Sequence, residues 1–129
     1  MAITITTLNN EAAVAKTFTE IAKDRTSAEW YNSTDESTSL HNTLSIKQRI
    51  QGKNAQGIPL RQTLVQCKMS GIGSGDPPLE TPEDVWINVT INSPTSLKAL
   101  TSTQRKDVMA FLRNFLTAAN VDALVTGQV

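Results

Sequence analysis

The side chains able to do chemistry in this chain are mostly cations, hydroxyls and amides set at alternate positions. Thr43, Ser45, Lys47 and Arg49 stand two residues apart, as do Gln66 and Lys68, and again Trp86, Asn88 and Thr90. In an extended strand, residues at this spacing share a face. Guanidinium and ammonium groups hold phosphates, an indole stacks on an unpaired base, and hydroxyls and amides hydrogen-bond to base edges. The types and spacing therefore suit a face that binds RNA. By sequence alone a solvated strand face is the simpler reading of three cations. Trp86 reads equally as a β-former on a half-exposed strand.

Other chemistry finds little support. His41 is the one histidine, so no histidine metal site can be built, and it has no nucleophile partner in sequence. Cys67 is the one cysteine and reads as a small buried apolar residue. Gly71-Ile72-Gly73-Ser74-Gly75 hints at a phosphate loop, but no lysine follows and Asp76-Pro77-Pro78 opens no helix. Asp76, Glu80, Glu83 and Asp84 form a mildly acidic stretch, and nothing gathers two of them into a pocket for acid–base work. The chain is expected to be no enzyme, with no cofactor, no metal and no small-molecule substrate.

Composition narrows the classes further. The chain has 129 residues, 39% hydrophobic and 19% charged, with a formal net charge of zero. That suits one folded domain. A protein that coats nucleic acid through bulk charge would be strongly basic, so RNA contact must come from a local patch. One cysteine staples nothing and fits a cytosolic setting. No leader-like segment is visible, and no apolar run approaches the about 18 residues of a membrane span.

The elements that would position these side chains follow from periodicity. Ala2–Leu8 alternates Ile3 and Ile5 with Thr4 and Thr6, Asn9-Asn10 suits a tight turn, and Val14–Ala22 returns as a second arm. Ser27–Asn32 holds Trp30 and Tyr31, read as packing residues in a short strand. Leu40–Ile50 places Leu44, Ile46 and Ile50 opposite Thr43, Ser45, Lys47 and Arg49. Gln51–Pro59 reads as a hairpin loop, and Leu60–Met69 as the returning strand with Val65, Cys67 and Met69 on the core face. A bulge could invert its part nearest Arg61. Ser70–Pro82 is a long Gly/Pro loop. In Asp84–Asn92, Val85, Ile87, Val89 and Ile91 alternate with Trp86, Asn88 and Thr90.

After Pro94 the period changes. Thr101 and Gln104 fit a capping box, and Val108, Phe111, Leu112, Phe115 and Leu116 give helical spacing over about 102–118. A shorter helix follows near Val121–Thr126, ended by Gly127. Strands followed by helices make an α+β domain with an antiparallel meander. Two helices at one end of the chain can cover one face of a sheet, leaving the polar face bare.

Several stretches resemble the coat proteins of the leviviruses, the small single-stranded RNA phages. They are Glu11-Ala12 with Thr17-Phe18-Thr19-Glu20-Ile21, Ser45-Ile46-Lys47-Gln48, Val85-Trp86 with Asn88-Val89-Thr90-Ile91, and the end from Arg105-Lys106 through Leu116 to Asn120-Val121-Asp122-Ala123-Leu124-Val125. The motifs are short, but their order and the chain length agree. Lys47 stands where the family commonly has arginine, and Gln51–Pro59 is longer than its usual hairpin turn.

The resemblance implies an N-terminal β-hairpin (1–22), a five-stranded antiparallel sheet (27–92) and two C-terminal helices (101–127). It implies an intertwined homodimer, with sheets joined edge to edge and helices interlocked above the partner's sheet. Dimers would build an icosahedral shell around phage RNA in a bacterial cytoplasm, and the shell would be the virion's capsid. The interior sheet face would bind an RNA hairpin that represses translation and marks the genome for packaging. Its residues would be Thr43, Ser45, Lys47, Arg49, Gln66, Lys68, Trp86, Asn88 and Thr90. The loop 70–82, with Gly71, Gly73, Gly75, Pro77 and Pro78, would mediate assembly. The rival is a cellular RNA-binding dimer of the same build that assembles no shell.

Overall fold

A computed structural model describes residues 3–34, 42–71 and 83–128. They form six strands and then two helices: β1 Thr7–Asn9, β2 Ala15–Lys23, β3 Ser27–Asn32, β4 Asn42–Lys53, β5 Pro59–Gly71, β6 Glu83–Pro94, α1 Ser102–Phe115 and α2 Ala118–Thr126. The chain divides into a sheet unit, Met1–Pro94, and a helical unit, Thr95–Val129.

The strands pair in chain order as one antiparallel meander. The expected hairpin and five-stranded sheet are thus one six-stranded sheet, because β2 belongs to both: it pairs with β1 on one side and β3 on the other. The first strand is shorter than expected. Residues 3–6 are not strand, and Ile5 instead packs against the core while the Ile3 carbonyl accepts from Lys23 Nζ at 2.8 Å. The turn expected at Asn9-Asn10 spans Asn10–Val14. The Asn10 side chain accepts from the Val14 N–H, and Ala13 takes a φ of 60°.

The loop expected over Gln51–Pro59 is shorter than expected, because strand takes Gln51–Lys53 at one end and Pro59 at the other. β4 runs to Lys53 through a register shift after Ile50, where Gly52 has a φ of 67°. A glycine in the left-handed region lets a bulge form without ending the strand. The true turn, Asn54–Ile58, is held by the Asn54 carboxamide oxygen, which accepts from the N–H groups of Gln56 and Ile58, with Gly57 at a φ of 76°. Beyond it β5 keeps an unbroken register with β6 from Leu60 to Gly71, so nothing inverts near Arg61.

Trp30, Leu44 and Ile46 form the buried cluster of the sheet unit, flanked by Phe18, Ala28 and Val65. Register puts Cys67, Met69, Val85 and Ile87 on this same face. Met69, Val85 and Ile87 are nevertheless 60%, 66% and 58% exposed in the single chain. Cys67, expected to be buried, is exposed as well. Its apolar neighbours still desolvate the thiolate and raise the thiol's pKa. These side chains, with Phe18 and Leu44, line an apolar trough of about 440 Å³.

In the helical unit, the capping box forms as expected: the Thr101 hydroxyl accepts from Gln104 N–H, and the Gln104 side chain accepts from Thr101 N–H. α1 ends at Phe115, three residues early. Thr117 caps a second helix that starts at Ala118 rather than Val121, and Gly127 ends it with a φ of 78°. The two helices meet at 76°. Neither has a buried residue, and Phe111 is 71% exposed. A unit this short falls below the about 40 residues at which a domain supplies its own core. Among the described residues no single helix is long and apolar enough to cross a membrane.

Candidate RNA interface

Register decides which side chains share the polar face. Residues directly opposite each other in a sheet point the same way. Thr43 stands opposite Lys68 and Lys68 opposite Trp86; Ser45 opposite Gln66 and Gln66 opposite Asn88; Lys47 opposite Leu64 and Leu64 opposite Thr90. Arg49 stands opposite Gln62, and Gln62 opposite Asn92. All nine residues expected on the polar face therefore lie on one face of β4, β5 and β6, the face away from Leu44 and Ile46.

Periodicity also implied members it did not name. Gln62 and Asn92 complete the row that begins at Arg49. They were missed because the register near Arg61 was in doubt and Asn92 stood at a strand end. Tyr31 lies opposite Thr43, so it belongs to this face and is half-buried there. Trp30, its neighbour, is 1% exposed on the other face, as a packing residue should be.

The face is polar and internally connected. Arg49 Nε donates to Gln62 Oε1 at 2.7 Å, and Gln62 Nε2 donates to Asn92 Oδ1 at 3.2 Å. Gln66 Nε2 donates to Asn88 Oδ1 at 2.9 Å. These pairs hold the amides in fixed orientations, leaving their remaining donors and acceptors for a ligand. Lys68 Nζ lies 3.9 Å from Asp84 Oδ2, and the Ser70 hydroxyl donates to the same carboxylate. Among the described residues Lys47 and Arg49 have no carboxylate partner. Trp86 is 56% exposed beside Lys68, an open indole next to a cation. No cluster of metal-ligating side chains occurs among the described residues.

Gly71 is the last residue of β5. Gly73, Gly75, Pro77, Pro78 and His41 lie outside the described residues.

The fold is a meander sheet with a polar face and an open apolar face, followed by two helices. That is the coat-protein fold of bacteriophage shells. The virus-like particle of bacteriophage AVE019 superposes with a TM-score of 0.63 at 12% identity, over 98% of this chain and 97% of that one. The particle of bacteriophage NT-214 gives 0.60 at 18% identity, over 95% and 93%. The coat protein of bacteriophage EMS014 gives 0.56 at 14% identity, over 88% and 71%. No protein-family model and no curated protein matches the chain.

Proposed function

We propose that this chain is the coat protein of a levi-like RNA bacteriophage, a homodimer that assembles an icosahedral shell around the phage genome. The observation that carries the proposal is the likeness, over nearly the full length of both chains, to subunits of the AVE019 and NT-214 particles. Fold alone does not imply function. The surfaces supply the second support. The sheet unit leaves Met69, Val85 and Ile87 exposed, and the helical unit buries none of its apolar stripe. Both need a partner chain, and a second copy brings one helical unit and one open sheet face to each protomer. Among the described residues β6 pairs only with β5, which leaves its other edge for a twofold copy.

In this reading the polar face lines the shell interior and binds an RNA hairpin as translational repressor and packaging signal. Lys47, Arg49 and Lys68 attract phosphates, Trp86 stacks on an unpaired base, and Thr43, Ser45, Gln66, Asn88 and Thr90 hydrogen-bond to bases and sugars. Residues 70–82 mediate contacts between dimers. Expression in bacteria, followed by size exclusion and electron microscopy, tests the assignment. Uniform RNA-filled shells are expected. A small soluble dimer that never assembles would favour the cellular RNA-binding alternative.

A further inference from the structure

Two arginines that the sheet face leaves unassigned, Arg25 and Arg61, gather with Arg49 at one end of the sheet. β3 begins at Ser27, opposite Lys47, whereas β4 continues to Lys53. The turn before β3 closes on β4 through the Thr26 carbonyl, which accepts from the Gln48 N–H at 2.7 Å. Past that bond β4 keeps β5 on one side and, among the described residues, has no strand on the other. Backbone groups alternate sides along a strand, so the Ile50 N–H points the way Gln48's does, into the open notch.

Arg25, Arg49 and Arg61 line this notch together with Thr26, Gln48 and Ile50, around about 460 Å³. Arg49 lies on the polar face. Arg61, opposite Ile50, lies on the other, so the two flank the strand edge from either side. Of the acids on β2, β3 and the turn between them, two are engaged, and Glu29 stands opposite Ser45 on the polar face. The Asp24 carboxylate accepts from the N–H groups of Thr26 and Ser27 within its own turn, and Glu20 pairs with Lys23 at 3.8 Å. Among the described residues none of the three arginines has an ion pair. Uncompensated guanidinium groups around one cavity repel each other until an anion enters, and their forked donors match a phosphate. The notch also runs into the polar face: a neighbouring cavity of about 520 Å³ shares Thr26, Gln48 and Arg49 with it and adds Lys47 and Gln62.

We propose that the notch is a phosphate site that takes the RNA backbone as it leaves the sheet face, with Arg25 and Arg61 carrying it round the end of the sheet. The choice of RNA as the source of the phosphate rests on the function proposed above. The test uses full-length dimers and a fluorescein-labelled oligouridylate, with affinity followed across a salt series. Arg25→Gln and Arg61→Gln should each lower the log–log salt slope by about 0.7, the single-strand value per phosphate contact. Arg25→Lys and Arg61→Lys keep the charge and should retain the slope, which separates a lost contact from a folding defect. Lys98→Gln, in the helical unit, should change nothing. If both glutamine variants keep the wild-type slope while Lys47→Gln loses its share, the notch proposal is overturned and the sheet face stands. If Lys47→Gln and Trp86→Ala are silent while the notch variants lose slope, the notch stands and the sheet-face reading fails. Loss of a melting-temperature rise in inorganic phosphate, with RNA slopes intact, would make the notch a free-phosphate site and overturn its RNA role.

Discussion

The two tryptophans offer a direct test of the register. Trp30 is 1% exposed at the centre of the sheet's core, and Trp86 is 56% exposed on the opposite face. A tryptophan buries about 150–250 Å². At about 25 cal/mol per Å² that amounts to about 4–6 kcal/mol, an upper bound because the unfolded chain already hides some of that surface. Trp30→Ala should therefore cost about 3–5 kcal/mol, in line with large-to-small core changes. Leu44, Ile46 and Phe18, held on paired strands, can refill the space only in part. Trp86→Ala removes a side chain already in water and should stay within about 1 kcal/mol of wild type. Urea unfolding by far-UV circular dichroism measures both, at one fixed protein concentration because the stability of the proposed dimer would depend on it. A one-residue slip would exchange the faces. Comparable costs for the two variants, or a larger cost for Trp86→Ala, would refute the register and the polar face built on it.

Other consequences are independent of that register. Ala13 has a φ of 60°, where a Cβ is penalised, so Ala13→Gly should stabilise the protein by about 1 kcal/mol in the same unfolding assay. Asp24's carboxyl lies below its ordinary pKa, chiefly because the Thr26 and Ser27 N–H groups bond to it. A depressed folded pKa stabilises above the unfolded value of 3.8 and loses that contribution as pH falls through the folded value. Asp24→Ala should thus lower the melting temperature at pH 7, and the part of that deficit due to charge should shrink in melts below pH 3.8. Phe111 is 71% exposed in the single chain. The proposed dimer would bury it against a partner copy, so Phe111→Ala should weaken that dimer by about 3–5 kcal/mol, read by sedimentation across a dilution series. Unchanged dimer affinity would remove Phe111 from the interface.

Much of this architecture was legible because the signals were local. Val85, Ile87, Val89 and Ile91 define a strand and its faces without reference to anything else. Thr101 with Gln104 marks a helix start, and Gly127 its end. The polar face followed from the same alternation. What failed had two readings at the local level. Gly52 punctuates a loop or a bulge equally well, and only the pairing of Lys53 with Pro59 decides for the bulge. Ala13 carries no mark of a left-handed turn, because the Asn10 side chain and the returning strand impose it. Ile3 and Ile5 alternate like a strand, yet that segment packs Ile5 on the core instead of pairing along its length. Cys67 has the residue type and parity of a core position. Its exposure depends on what covers β5 and β6, which no property of the cysteine encodes. The arginine notch arises where strands of unequal length end, and Arg25, Arg49 and Arg61 share no motif.

In the proposed function this chain meets RNA through the polar face of the sheet. Ultraviolet cross-linking of shells purified with their RNA, followed by mass spectrometry of the attached peptides, tests it most directly. Cross-links are expected in the β4, β5 and β6 segments that carry Lys47, Lys68 and Trp86. Cross-links confined to Ser102–Thr126, with none on those strands, would contradict it.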